Sequence, residues 1–202
     1  MASPLRLPLV LGMTMASAVA HAGILEFLLE GKAGFGLLPG NETGAVTGDP
    51  PGTGGLLPGG ITYDTETRLL SFNIGWGSGN GFTDLTGDAT VAHIHGIVPG
   101  DDPFNANAGV LYDTHSGLGA GWNPSATDGF AIGSVTLTEA HETALLEHRL
   151  YFNVHTTLNA PGEIRGNLVV VPEPHENALA LAGAALAWAG YRRLRRPTRS
   201  TT

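Results

Sequence analysis

Three histidines carry the clearest chemistry in this chain. His93 and His95 stand two residues apart in residues 89–98, ATVAHIHGIV. The alternation of that run predicts a β-strand, so both imidazoles fall on one face of it. His155 lies in a second alternating run, residues 150–156, where Tyr151, Asn153 and His155 point one way and Phe152, Val154 and Thr156 the other. Three imidazoles converging on one point would suit Zn²⁺ or Cu²⁺. The same rings could instead hydrogen-bond to backbone and close a loop, and the sequence leaves both uses open. His115 is a possible fourth ligand in a glycine-rich stretch, and His141 and His148 are assigned to a helix surface.

Other polar groups are less specific. Asp101, Asp102, Asn105 and Asn107 form an oxygen-rich loop, but the closing glutamate of an EF-hand is missing, so a solvated turn is expected. Glu163 and Arg165 share a strand face and can pair; a buried Arg165 would brace backbone carbonyls. No catalytic nucleophile motif is present: residues 75–79 read GWGSG, with serine in the fourth position rather than the third. No phosphate-binding or dinucleotide-binding glycine pattern occurs. The expectation is a non-enzymatic protein.

The two histidine runs also carry a resemblance. NVHT at 153–156, a short polar turn, then PGEIRGNL at 161–168 resembles the C-terminal signature of the chordin-type (CHRD) domain, and AHIHG at 92–96 matches its central motif. The family usually has a second glycine in the turn, where this chain has Ala160. The resemblance covers roughly residues 24–170. It implies a β-rich exported module, with Gly96, Asn153, Gly162, Glu163, Arg165 and Gly166 as structural motif positions. The HxH pair with a distant third histidine is also similar to the copper–zinc superoxide dismutase sandwich. The disulfide of that family cannot form here, because the chain has no cysteine.

The elements that must position these residues are short. Thirty glycines and 13 prolines among 202 residues, with few charges, predict many turns and short strands. Strands are expected over 24–30, 61–75 as a hairpin, 89–98, 109–113, 129–137, 150–156 and 163–171. Residues 31–60 read as a long connection with one short strand near 34–38, and 114–128 as a glycine-rich excursion. Residues 138–148 read as the one helix of the domain, with Thr138 as N-cap. About eight strands and one helix predict an all-β, antiparallel β-sandwich or Greek-key domain over residues 23–170.

Charge and the two ends of the chain suggest an address. Residues 23–171 hold 16 Asp/Glu against four bases, so the domain is acidic and nucleic acid is a disfavoured partner. Residues 1–22 read as a signal peptide: Arg6, an apolar run, then a small-x-small site at Ala20-His21-Ala22. Residues 171–196 resemble the PEP-CTERM sorting signal: Pro172, Glu173 and Pro174, an apolar span over 178–191, and arginines at 192, 193, 195 and 196. That resemblance implies an exosortase-type membrane protease as partner, with transient insertion of residues 178–191 in the inner membrane. Fourteen residues of helix reach about 21 Å, short of a ~30 Å bilayer core. Residues 197–202 are a polar tail. The combined expectation is a cell-surface or extracellular-matrix binding module for a polysaccharide or surface protein. The alternative is a transition-metal-binding protein or a superoxide-dismutase-like metalloenzyme, with Cu or Zn on His93, His95 and His155.

Overall fold

The computed structural model describes residues 23–114, 121–124 and 126–172, together with four helical positions in the tail (Gly183, Leu186, Trp188 and Tyr191). Ten strands and one α-helix make up the described domain: β1 (Ile24–Gly31), β2 (Gly34–Phe35), β3 (Gly54–Asp64), β4 (Leu69–Trp76), β5 (Ala89–His95), β6 (Val110–Asp113), β7 (Gly121–Pro124), β8 (Gly129–Thr136), α1 (Glu139–Leu146), β9 (Tyr151–Thr156) and β10 (Ile164–Val170). Every pairing is antiparallel.

The strands form one sheet in the order β6-β5-β9-β10-β1-β3-β4-β8-β7, with β2 on β1. The expected all-β, antiparallel class with one short helix holds; in place of the expected β-sandwich or Greek-key layout, the strands form a single curled sheet. The curl follows from burial. Strands from β1 to β10 send Phe27, Ile61, Phe72, Ile94, Phe152 and Ile164 into one core cluster, each 3% exposed or less. Helix α1 has eight residues, about 12 Å of length, and cannot cover that face. The far half of the sheet must cover it instead.

Two expected loops contain strands. Residues 54–60, GGLLPGG, open β3 instead of belonging to a connection. A register shift between Leu56 and Ile61 absorbs the positive φ of Gly59 and Gly60, so the strand tolerates Pro58 at a bulge. Likewise β7 lies in the stretch expected to be irregular and pairs with β8 at the sheet's edge. Glycine content misleads in both places, because ladder bonding is a backbone property. The helix begins as expected: the Thr138 hydroxyl accepts from the His141 amide at 3.3 Å.

Strands β9 and β10 are buried on both faces. One face meets the apolar core. The other carries Tyr151, Asn153, His155, Arg165 and Asn167, and lies under the segments around residues 38–53 and 99–108. The domain therefore has a second, polar interior layer. No helix among the described residues is long and apolar enough to cross a membrane. The expected signal peptide, Glu173, Pro174 and most of the expected 178–191 span lie outside the described residues; Pro172 is exposed coil.

Candidate metal centre

Pairing of β5 with β9 brings the histidines together. His93 lies across from Asn153, and His95 across from Tyr151. His93 Nδ1 is 3.1 Å from His155 Nε2. One nitrogen from each of His93, His95 and His155 can be chosen so that all three lie within 4.8 Å of one another. Nitrogens sharing a tetrahedral Zn²⁺ at bonds of 2.0–2.1 Å are about 3.3 Å apart, so small ring movements would complete the set.

The backbone fixes which nitrogens are free. His95 Nδ1 is 3.0 Å from the Ala108 carbonyl, and His155 Nδ1 is 2.7 Å from the Ala160 carbonyl. A carbonyl only accepts, so each Nδ1 carries the proton and each Nε2 keeps a lone pair. Outer hydrogen bonds of this kind orient metal-ligating imidazoles. Burial holds all three rings neutral. His93 is pushed down to about 4, by desolvation first and then by His155 and His95. His95 and His155 are also lowered, chiefly by desolvation. Neutral imidazoles are the form that binds metal.

Two groups frame the site. The Tyr151 ring stacks on His95 at 4.8 Å between centroids, the two planes nearly parallel, while the Arg165 guanidinium lies 3.6 Å from the Tyr151 ring centre. Arg165 is fully buried and donates to the Pro103 and Ala106 carbonyls and to Asn107 Oδ1, each at 3.0 Å. It thus braces the 99–108 loop, which in turn presents Ala108 to His95. Asn107 is consumed by this brace, and Asp102 bonds to Asn105 within its own turn, as a solvated loop requires.

Glu163 does something the sequence did not suggest. The expected pairing with Arg165 is absent from the ion pairs among the described residues, which are Arg68–Glu142 and Arg149–Glu147. Glu163 is fully buried and accepts five hydrogen bonds instead: from the Gly52 and Thr86 amides, the Thr86 and Thr156 hydroxyls, and Asn159 Nδ2. Two side chains along a strand face the same way, but here each reaches a different covering loop. Gly162, at φ 131°, makes the turn, and a side chain there would strike Glu42 and Asn153. Gly166 admits the Gly36 carbonyl, and Gly96 lies against Leu150.

The sequence missed Glu42, Asn41 and Tyr151 as site residues. Asn41 ties the 33–36 turn to the Arg165 carbonyl. Glu42, 7% exposed and raised by burial, meets Asn153 Nδ2 at 3.4 Å. Both sit in PGNETG, which reads as turn, and nothing local marks them as interior. His141 is not free on the helix surface: its Nδ1 meets the Tyr112 hydroxyl at 2.6 Å. His148 ends the helix with φ 60°, and His115 lies outside the described residues.

An antiparallel curled sheet with a polar layer over its central strands, holding three convergent imidazoles, defines a β-rich domain with a candidate metal centre. Residues 38–168, more than half of the chain, match the CHRD domain, and the chain belongs to that family. The match supports a secreted-type domain of unspecified function. No curated protein and no solved structure matches the chain.

Proposed function

We propose that this CHRD domain is a non-enzymatic, exported module that binds one divalent transition-metal ion, Zn²⁺ or Cu²⁺, through His95 Nε2, His155 Nε2 and His93 Nδ1, whose proton, donated to His155 Nε2 in the metal-free structure, moves to Nε2 on binding. The observation that carries the reading is the convergence of three neutral imidazoles within 4.8 Å, two of them fixed in tautomer by backbone carbonyls. Binding would tie β5 to β9 and hold the loop that Ala108 anchors. The acidic domain surface suits cations and neutral glycans as partners better than polyanions.

The ends of the chain support delivery to the cell surface or matrix. Residues 1–22 would direct export, and residues 171–196 would be inserted briefly in the inner membrane through 178–191 and cut by an exosortase-type protease. Intact mass of the exported protein tests this: loss of both ends is expected, and retention of the arginine cluster would refute the sorting role.

Elemental mass spectrometry tests the metal. The chain is purified from a periplasm without chelators or a histidine tag. About one Zn or Cu per chain is expected, lost in His95→Ala and His155→Ala. A protein that takes up neither ion, even after incubation with each, refutes the proposal.

A further inference from the structure

Among the described residues, two buried side-chain atoms of the polar layer around the histidine set lack a hydrogen-bond partner. Asn153 is 2% exposed, and its Oδ1 has no hydrogen-bond partner; His95, 7% exposed, has none at Nε2. The two groups are neighbours. On the antiparallel β5–β9 pair Asn153 is diagonal to His95, and no hydrogen bond of ordinary geometry joins the two side chains. Two buried acceptors thus face one region with no donor between them. A buried acceptor left without a donor loses its hydration and gains nothing in return. A cation between them would satisfy both.

Asn153 also occupies the middle of the triangle. On β9 it is two residues from His155, with its side chain on the same face. On β5 its cross-strand partner is His93, and His95 is the diagonal neighbour. Such positions lie about 5 Å and 7–8 Å away in an antiparallel pair, within reach of one shared ion.

The amide has a defined orientation. Its Nδ2 points to Glu42 Oε1 at 3.4 Å, so Oδ1 points away from that carboxylate. Turning the amide over would set its oxygen against the Glu42 oxygen, two acceptors in contact. Glu42 is therefore placed to aim the oxygen of Asn153 while making no contact of its own with the histidines.

We propose that Asn153 supplies the fourth ligand of the metal held by His93, His95 and His155, through Oδ1, and that Glu42 is the positioning residue that aims it. Three imidazole nitrogens and one carboxamide oxygen make a four-coordinate site for Zn²⁺ or Cu²⁺. This inference rests on the metal-binding reading above.

The test uses the full chain and Zn²⁺ titration calorimetry, with Co²⁺ in place of Zn²⁺ for its visible spectrum. Asn153→Leu should weaken Zn²⁺ at least 10-fold and change the Co²⁺ bands, because an oxygen ligand is lost. Glu42→Gln should weaken Zn²⁺ about 10-fold with one ion still bound, as outer-shell changes do. The double variant Glu42→Gln/Asn153→Asp reverses the hydrogen bond while keeping an oxygen toward the metal. It should bind at least as tightly as the parent, and it carries the test if Asn153→Leu does not fold. Unchanged affinity and unchanged Co²⁺ bands in Asn153→Leu, unchanged affinity in Glu42→Gln, or loss of binding in the double variant would each overturn the inference while the three-histidine reading stands. A parent that binds neither Zn²⁺ nor Co²⁺ would overturn both.

Discussion

Replacing Glu163 is the sharpest test of the polar layer. Its carboxylate is fully buried and contacts no basic side chain in the described ion pairs; five donors hold it. The donors differ in kind. At Oε1 they are the Gly52 and Thr86 amides, which cannot turn over; at Oε2 they are two hydroxyls, which can rotate, and Asn159 Nδ2, whose carboxamide is pinned by the Thr47 backbone. Glu163→Ala leaves two amides without partners, at about 1–3 kcal/mol each, and removes charge-assisted bonds to three side chains. The expected loss is about 3–5 kcal/mol, out of a total near 5–15 kcal/mol for an ordinary domain. Glu163→Gln can keep its oxygen on the amides and turn its NH₂ toward hydroxyls that rotate to accept, so it should lose only about 1–2 kcal/mol. Urea unfolding followed by tryptophan fluorescence and by circular dichroism measures both variants. An alanine variant within 1 kcal/mol of the parent, or a glutamine variant as unstable as alanine, would refute the reasoning.

Other outcomes follow from the same geometry. The metal-free domain should lose stability as pH falls from about 6.5 toward 4: His93 has a folded value of about 4, so between these limits the unfolded chain binds the extra proton. The full displacement corresponds to about 3 kcal/mol; the ring is only part-buried, so solvent screening reduces this to about 1–2 kcal/mol. Thermal melts from pH 4 to 7.5 should show that slope, and His93→Gln should flatten it. Arg165→Lys keeps the charge but loses the planar fork on Pro103, Ala106 and Asn107, so a cost of about 2–3 kcal/mol is expected, with faster protease cleavage between residues 99 and 108. Gly166→Ala would put a methyl 2.8 Å from the Gly36 carbonyl oxygen and 2.9 Å from Leu29 Cβ, costing about 1–3 kcal/mol. Gly96→Ala meets mainly the mobile end of Leu150 and should cost less; urea midpoints for the pair decide the order.

How far the sequence could be read depended on whether a signal was local. The face assignments of Tyr151, Asn153 and His155, and of His93 and His95, followed from the period of two and hold in the sheet. The Thr138 cap and the turn glycine Gly162 were legible for the same reason. What failed was non-local. β3 begins inside GGLLPGG because β4 offers it a ladder, and no window of sequence contains that partner. Glu163 and Arg165 look like a surface pair until two distant loops close over them. Glu42 is invisible for the same reason: its burial comes from residues 153 and 162, more than 100 positions away.

The position of β10 governs when this domain can fold. It is the last strand among the described residues, yet it lies near the middle of the sheet, between β9 and β1, and Val170 pairs with Phe27 near the start of the domain. A chain released N-terminus first could make the β3–β4–β8 ladder early, but β1 would keep an open edge and the β5–β9 half would have nothing to dock on. Closure waits for residue 170 to emerge. Pairing across so much sequence is slow, so the nascent domain should persist as an open, aggregation-prone sheet until a single late strand locks it.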